Sequence, residues 1–186
     1  MVFSLVCSGV IAAATVSEVP DAPLVPWFVP RSAALGVFIN SPMVTPHFRL
    51  AWEGAILSQP RNDLIWIFTL GSGVGVGAPT PMASHQQHVV LAGFGYRSDH
   101  PVIHWGFHVA SGILYYRATF LPGANAEESR ALGYIEGRLQ FGVRITPHFR
   151  LAAYFGYASP FVFNPQRFPG NTYVGGVDTG IVIDWR

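Results

Sequence analysis

Residues 131–158 (ALGYIEGRLQFGVRITPHFRLAAYFGYA) alternate between two kinds of side chain. From 133 to 145 the odd positions carry aliphatic or aromatic residues or glycine, whereas the even positions from 136 to 144 carry charged, amide or glycine residues. After Thr146-Pro147-His148 the alternation resumes, with apolar residues at the odd positions from 149 to 157. A period of two over this length is typical of β-strands with two different faces. The segment therefore predicts two strands joined by a turn.

The two faces of these predicted strands are unlike those of a soluble sheet. One face carries large aliphatic and aromatic residues, while the other combines glycine and alanine with Glu136, Arg138, Arg144 and Arg150. That mixture suits a cramped polar interior better than a solvated surface. A transmembrane β-barrel has this inverted arrangement, because its large apolar side chains face lipid and its small or polar ones fill the lumen.

The bulk composition agrees with a membrane barrel. Of the 186 residues, 50% are hydrophobic and 11% are charged, against about 25% charged in an average soluble domain. After the N-terminus no apolar run approaches the ~18 residues that indicate a transmembrane helix. The formal net charge is +1, and there is no basic cluster of the kind that binds phosphate backbones. Nucleic acid is therefore not an expected partner.

The first 32 residues differ from the rest of the chain. Val2–Ala14 is a short apolar run that ends in three alanines, a pattern typical of a signal-peptide cleavage site. We interpret residues 1–14 as a signal peptide, with a buried first strand as the alternative. Residues 15–32 contain four prolines, which prevent regular strand pairing and predict an irregular periplasmic leader. The barrel domain is expected at 33–186, and the single Cys7 predicts no disulfide in the mature chain.

The period-two pattern recurs along the barrel domain and predicts eight strands. In the third, GSGVGVG places glycine at every second position. Without a following helix and a Lys-Ser/Thr pair this is not a phosphate-binding loop, and it indicates a narrow interior. The predicted fold class is all-β, a closed antiparallel up-and-down transmembrane barrel of about eight strands. The predicted strands are approximately Ala33–Asn40, Phe48–Leu57, Leu64–Gly77, His88–Arg97, Val102–Thr119, the two strands of 131–158, and Thr172–Trp185.

The strand count also assigns the connections to two rims. An even number of strands puts both chain ends in the periplasm, with short turns there and longer loops outside. The heptapeptide TPHFRLA occurs at Thr45–Ala51 and at Thr146–Ala152, and an odd number of predicted strands between the copies puts them at opposite rims. We assign the first copy to an outer loop, with a miscounted strand as the alternative. The predicted turns are Ser58–Asp63, Arg97–Pro101 and Ile145–His148, and the predicted loops are Asn40–His47, Ala78–Gln87, Leu121–Arg130 and Ser159–Asn171.

Inward charged residues are the first group of candidate functional residues. Buried charges persist only when they are paired and hydrogen-bonded, and eight strands leave an interior just wide enough for side chains. Nearly balanced signs therefore predict a salt-bridged plug rather than a pore. The predicted members of this lumen network are Arg49, Glu53, Arg97, Glu136, Arg138, Arg144, Arg150, Asp178 and Asp184.

The histidines are the second group. His104 and His108 face the predicted lumen, but four residues along a strand separate them by about 13 Å, so this pair is not expected to bind a metal. His85 and His88 fall in or beside a predicted outer loop, where simple exposure is expected. We predict no metal, no cofactor and no catalytic residue.

Outward aromatic residues are the third group, because Trp and Tyr favour the two membrane–water interfaces. In a soluble protein these rings would be exposed to water, which argues against a lipocalin-like carrier. The residues expected at the interfaces are Trp52, Trp66, Trp105, Tyr115, Tyr157 and Trp185.

From 33 to 186 the chain resembles the small eight-stranded outer-membrane barrels of the outer-membrane protein A, X and W type. The likeness rests on the alternation, on the turn sequence GVRITPHFRL and on the C-terminal GIVIDWR. Ile181, Ile183 and Trp185 match that family's terminal strand, whereas Arg186 after the aromatic residue departs from it. The resemblance implies a bacterial outer-membrane location, contact with outer-membrane lipid and lipopolysaccharide, and recognition of the last strand by the barrel-assembly machinery.

The predicted function is that of a non-enzymatic barrel with a structural or adhesive role, whose surface-loop partner is unknown. One alternative is a lipid-modifying enzyme, because small barrels include deacylases and acyltransferases that use a His, a Ser and an acidic residue near the outer rim. Asp99, His100 and His104 are close in sequence, but they fall at a predicted periplasmic turn and lack a suitably placed Ser. A soluble lipocalin-like lipid carrier is the other alternative.

Overall fold

The chain forms a closed barrel of antiparallel strands. The computed structural model describes residues 29–40, 43–77, 82–121, 127–161 and 173–185. The strands are β1 (Ser32–Asn40), β2 (Met43–Gln59), β3 (Asn62–Gly75), β4 (Met82–Asp99), β5 (Ile103–Phe120), β6 (Glu127–Arg144), β7 (Phe149–Phe161) and β8 (Gly176–Trp185). Each strand pairs with the next in sequence and β8 pairs with β1. The predicted all-β, closed up-and-down barrel of eight strands is confirmed.

The connections define two rims. Residues 60–61, 100–102 and 145–148 connect strands at one rim, which we call the turn end. The start of β1 and the end of β8 are also at this rim, since Ser32 pairs with Asp184. At the other rim, the loop end, the described strands end and resume between 40 and 43, 75 and 82, 120 and 127, and 161 and 176. The predicted signal peptide (1–14) and the predicted leader up to residue 28 lie outside the described residues. Among the residues that are described, no helix is long and apolar enough to cross a membrane.

The pairing register determines the tilt of the strands. On one side of β1, Ile39 pairs with Val44 of β2. On the other side, the row of paired residues that starts at Ile39 passes through β8, β7, β6, β5, β4 and β3 and returns to β2 at Gly54. This offset of ten residues over eight strands corresponds to a tilt of about 40°. Each residue then rises about 2.5 Å along the barrel axis, and each step along a register row rises about 3 Å.

The alternating pattern sorts the side chains into an outer apolar belt and a buried interior. Because successive strand residues point to opposite faces, each strand presents a row of large apolar residues on the outer wall. Their inward neighbours are mostly buried. Exposed members of the belt include Leu35, Phe48, Phe68, Phe94, Phe107, Leu139, Phe155 and Ile181.

The strands at the loop end are longer than the sequence predicts. Three segments that were predicted as loops belong to strands: Met43–His47, Met82–Gln87 and Glu127–Arg130. The fourth predicted loop begins at Ser159, whereas β7 continues to Phe161. The predicted extents of all four outer loops are therefore wrong. The physical reason is that the outward residues there, such as Gln86, are polar, so the contrast between faces fades while the backbone ladder continues. Conversely, β8 begins at Gly176 instead of Thr172, and Tyr173 packs against the interior.

The two copies of TPHFRLA adopt different structures. Thr45–Ala51 lies entirely within β2, whereas Thr146–Ala152 contains a turn and the start of β7. Both proposed explanations, an outer loop and a miscounted strand, are therefore wrong. In the second copy the Thr146 hydroxyl accepts hydrogen bonds from the backbone N–H groups of His148 and Phe149. In the first copy the same backbone is paired with β1 and β3, so tertiary context overrides the local turn tendency.

Candidate functional site

Four charged side chains form a closed ring in the middle of the lumen. Arg49 Nη1 lies 2.5 Å from Glu136 Oε2, and Arg49 Nη2 lies 3.6 Å from Asp178 Oδ2. Arg138 completes the ring, with Nη2 at 2.6 Å from Asp178 Oδ2 and Nε at 3.5 Å from Glu136 Oε1. All four side chains are at most 7% exposed. Each charge therefore contacts two charges of opposite sign, and the ring is neutral overall, which is the arrangement that buried ions require.

Aromatic and imidazole groups surround this ring. The Tyr154 hydroxyl donates to Asp178 Oδ1 at 3.2 Å and lies 3.1 Å from His47 Nε2. His47 Nε2 is also 3.4 Å from Asp178 Oδ1, while His108 Nε2 is 3.8 Å from Glu136 Oε1. The Arg138 guanidinium stacks over the Tyr154 ring, with 4.5 Å from Cζ to the ring centroid. These contacts hold the side chains of Asp178, Glu136 and Arg138 in position.

The glycine column of β3 makes room for the side chains of β2. A Cβ on Gly71 would lie 2.7 Å from Cγ of Arg49, and one on Gly73 would lie 2.9 Å from Cβ of His47. Because the residues of both strands point into the lumen at these positions, any residue larger than glycine at 71 or 73 would displace the side chain of Arg49 or His47. The GSGVGVG pattern thus contributes to the ring by leaving space for it. Gly36 does the same for Tyr154, whose hydroxyl occupies the place of a Cβ there.

A second group of charges lies closer to the turn end. Arg97 Nη1 donates to Glu53 Oε2 at 2.9 Å, and Arg97 Nη2 lies 3.4 Å from Asp63 Oδ2. Asp63 also accepts a hydrogen bond from the Ser58 hydroxyl at 2.8 Å. The side chains of Glu53, Asp63 and Arg97 are 12–17% exposed and so are less buried than the ring. A cavity of about 20 Å³, lined by residues that include Arg49, Arg138 and Glu53, lies between the two groups and has room for about one water molecule.

The remaining predicted lumen charges also lie at the turn end. Arg150 pairs in register with Asp184 and is buried, while Arg144 pairs in register with Arg150. His104 is buried with Nε2 3.8 Å from Asp184 Oδ2. The structure therefore separates the nine predicted charges into a central ring (Arg49, Glu136, Arg138 and Asp178) and a turn-end group (Glu53, Arg97, Arg144, Arg150 and Asp184). His108 belongs with the first and His104 with the second.

Apolar side chains fill the lumen from the level of the ring toward the loop end. We call this group the loop-end cluster, and its fully buried large members are Met43, Leu91, Leu114, Tyr116 and Tyr134. The sequence analysis did not identify it, because apolar residues on both faces of a strand weaken the period-two contrast. The complete cluster is Phe38, Met43, Met82, Val89, Leu91, Ala110, Leu114, Tyr116, Ala118, Tyr134, Ala158 and Val174.

Of the two histidines expected to be exposed in or beside an outer loop, His88 is exposed and His85 is not. His85 is buried inside the barrel and stacks on Tyr116 with ring centroids 5.6 Å apart. The Tyr116 hydroxyl in turn donates to Glu128. His88 lies on the outer wall against Tyr115, at 6.4 Å between centroids. Among the described residues no three His, Cys, Asp or Glu side chains form a group suited to a metal ion.

The outward aromatic residues lie at distinct levels along the barrel axis. From the register and tilt, Trp52, Trp66, Trp105 and Trp185 fall within about 6 Å of one another near the turn end. Tyr115, ten residues after Trp105 on β5, is about 25 Å higher, and Tyr157 is about 16 Å higher. The ring of Arg49, Glu136, Arg138 and Asp178 lies about 10–16 Å above Trp105, near the middle of the apolar belt.

The main residues that sequence reasoning missed at the ring are His47 and Tyr154. Both share the inward face with a predicted member of the lumen network, since His47 precedes Arg49 by two positions and Tyr154 follows Arg150 by four. The parity of His47 could have identified it. Its occurrence in TPHFRLA, which forms a turn elsewhere in the chain, favoured the wrong assignment to a loop.

Comparisons with known proteins indicate the fold. No protein-family model matches the sequence, and no curated protein matches it. Among solved structures, the barrel is similar to the crystal structure of Neisserial surface protein A, with a TM-score of 0.52 and 11% sequence identity. The similarity covers 83% of this chain and 94% of that one. At this level of identity it supports the barrel architecture alone.

Proposed function

We propose that this chain is an integral outer-membrane barrel whose lumen is plugged, and that it has a structural or surface-exposed interaction role rather than a catalytic one. The proposal refines the resemblance to small outer-membrane barrels found in the sequence. It places the turn end in the periplasm and the loop end at the cell surface.

The observation that carries the proposal is the inversion of inside and outside in a closed barrel. Phe94, Phe141 and Tyr157 are each at least 60% exposed on the outer wall, while Arg49 and Glu136 are almost completely buried inside. In water such a wall would be an extensive exposed apolar patch. In a bilayer the same wall faces hydrocarbon, and the closed ladder leaves no unpaired strand edge. The height of about 25 Å between Trp105 and Tyr115 matches the apolar band of outer-membrane barrels.

The filling of the lumen supports a plug. The central ring crosses the interior by linking β2, β6 and β8, and the loop-end cluster fills the space above it. Moving a solute along the axis would require separating buried charges from their partners, at a cost of several kcal/mol. We therefore expect no steady ion conductance when the purified protein is inserted into planar bilayers. Regular single-channel steps would contradict the plug.

Electrophoretic mobility in SDS tests the membrane barrel itself. The detergent-refolded protein is expected to migrate differently before and after boiling, because a closed ladder with all its backbone groups paired resists SDS until heated. A mobility independent of heating, together with a product that stays soluble without detergent, would reverse the assignment of inside and outside. It would favour the lipocalin-like lipid carrier instead.

The proposed orientation and partners have separate tests. An epitope inserted in the connection at 78–81 is expected to be labelled on intact cells, whereas the same epitope at the turn 145–148 is labelled only after the outer membrane is permeabilised. Surrounding lipid and lipopolysaccharide are the proposed environment of the belt. We also propose that β8, with outward Ile181, Ile183 and Trp185, is the strand that the barrel-assembly machinery recognises. Normal assembly after replacement of Trp185 by Ser would contradict that role.

The enzymatic alternative has less support. A lipid-modifying site needs its histidine within reach of lipid, whereas His104 and His108 point into the lumen and lie next to Asp184 and Glu136. Loss of a deacylase or acyltransferase activity in a folded His104→Ala or His108→Ala protein would establish the alternative.

A further inference from the structure

The outer wall contains an apolar groove along the seam between β4 and β5. Its volume is about 350 Å³, within the range of ligand-sized clefts. Side chains of Phe94, Phe107, Val109 and Ile135 are among those that line it, and all four are exposed apolar residues of the belt. The groove is therefore a depression in the apolar outer wall. A second, more open depression of about 360 Å³ lies on β1–β3, lined by residues that include Leu35, Phe48 and Val74.

Small residues form the depression. Ala92 and Ser111 are register partners on neighbouring strands, and both line the groove. Gly137, the register partner of Val109 on β6, faces the same side, and a Cβ there would meet no atom closer than 4.0 Å. An alanine side chain would thus fit at Gly137 without rearrangement inside the protein. The packing of the barrel interior does not require glycine at this position beside the groove.

The groove is located in the turn-end half of the belt. It begins at Leu64 and Tyr96, close to the level of Trp105, and reaches Ser111 and Ile135 about 14–17 Å higher. Tyr96 stands at its lower end, with its ring centroid 5.5 Å from that of Trp105. Such amphipathic rings favour the level of lipid headgroups. The groove therefore extends from one interface to slightly beyond the middle of the belt.

We propose that this groove binds one acyl chain of a phospholipid from the periplasmic leaflet. The inference rests on the proposed membrane location. An acyl chain is thin and flexible enough to follow a depression that crosses two strands, and it restores the dispersion contacts that an empty groove would forgo. Because lipid tails and apolar side chains are equally apolar, the selectivity comes from fit rather than from hydrophobicity.

The position of the groove along the barrel axis indicates which leaflet supplies the acyl chain. A phospholipid with its headgroup beside Tyr96 and Trp105 sends its tail upward past Phe94 to Ser111. Lipid A would enter from the loop end, which this groove does not reach, because the wall of β5 there carries Ile113 and Tyr115. A second copy of this barrel would have to insert a protruding side chain into a groove on a convex wall, and so would bury little area.

Native mass spectrometry of the full chain, extracted from expressing membranes with a mild detergent, tests this proposal. The wild-type protein is expected to carry a phospholipid adduct. Replacing Ala92 by Phe fills the groove and is expected to abolish the adduct. Ala153→Phe is the matched control, since Ala153 is an exposed outward alanine in the turn-end half of β7, outside the groove. This variant is expected to keep the lipid.

Each other outcome overturns the proposal. A wild-type protein free of phospholipid, an adduct of lipid A, a dimer mass, or an adduct that survives Ala92→Phe would each do so. If Ala92→Phe does not assemble, Ser111→Leu fills the same groove with a smaller side chain and provides the same readout. Heat-dependent mobility in SDS is measured on every sample, so that failure of lipid binding in an intact barrel is distinguished from failure of the barrel itself.

Discussion

The central ring and the loop-end cluster fill adjacent parts of one lumen with opposite chemistry. In the ring, Arg49, Glu136, Arg138 and Asp178 form four contacts around a closed cycle. In the loop-end cluster, Leu91, Leu114 and their neighbours are aliphatic or aromatic side chains, of which Tyr116 donates a hydrogen bond to Glu128. A charge in the ring depends on specific partners at fixed distances, whereas an apolar side chain depends only on the volume it fills. The two regions should therefore respond differently to loss of a single side chain.

The largest expected effect is in the ring. Arg49→Met keeps most of the side-chain volume but leaves Arg138 as the one arginine that contacts both Glu136 and Asp178. Breaking one partner out of a buried ionic group costs about 3–5 kcal/mol of unfolding free energy. Urea unfolding of the barrel in lipid vesicles, followed by tryptophan fluorescence, measures this loss.

A double variant provides the control for the ring. Arg49→Met combined with Glu136→Gln restores a balance of one Arg138 and one Asp178, so it is expected to be more stable than Arg49→Met alone. Equal or lower stability of the double variant would contradict the idea that charge balance, rather than packing, holds the ring together.

Loss of volume in the loop-end cluster comes next. Leu114 is 0% exposed, and Leu114→Ala is expected to cost about 2–4 kcal/mol from lost burial and the cavity that remains. The matched control is Leu139→Ala, because Leu139 is 47% exposed on the outer wall and lipid can fill the vacated space. If the two variants were equally stable, the loop-end cluster would not be a packed core.

The contrast between the two regions also explains what the sequence could predict. The fold follows from the outer face, where the alternation of Phe141, Val143 and their counterparts is strong on most strands. The ring was partly predictable, because Arg49, Glu136, Arg138 and Asp178 stand out as charges on the inward parity. Which of them meet depends on the ten-residue stagger of the register, and no single strand contains that information.

The loop-end cluster was not predictable by the same reasoning. Val89, Leu91 and Leu114 are apolar residues on the inward face of strands whose outward face is also apolar, so parity alone does not indicate that they meet one another. The loop-end extensions of β4 and β6 were missed because Ser84, Gln86 and Glu127 face outward there, and a polar outer face resembles a loop. Backbone hydrogen bonds continue the β-ladder beyond the apolar belt. These bonds do not depend on an alternation of apolar and polar residues, so the sequence does not reveal them.

A smaller effect is expected in the turn-end group. Arg97→Gln removes the contacts to Glu53 and Asp63, and we expect a loss of about 1–3 kcal/mol, typical of hydrogen bonds between charged groups. The loss is smaller than in the ring because water reaches these partly exposed carboxylates. High salt should reduce the difference between wild type and Arg97→Gln, since accessible charges are screened, but should not reduce that between wild type and Arg49→Met. An identical salt dependence of both variants would remove the distinction between the two charged groups.

The smallest effect on stability is expected at an ion pair that resembles the Arg49–Glu136 pair in distance but is exposed rather than buried. Arg117 Nε lies 2.6 Å from Glu127 Oε1 on the outer wall near the loop end, with the two side chains 53% and 46% exposed. This distance is close to the 2.5 Å between Arg49 and Glu136, so geometry alone would rank the two pairs as equals. Exposed pairs contribute little because water already solvates both charges and holding two flexible side chains costs entropy. Arg117→Gln should therefore leave the urea midpoint unchanged within error, measured beside Arg49→Met in the same vesicles. A loss comparable to that of Arg49→Met would mean that Arg117 and Glu127 are shielded from water in the membrane-bound protein, and that the apolar belt extends higher on β5 and β6 than the level of Tyr115.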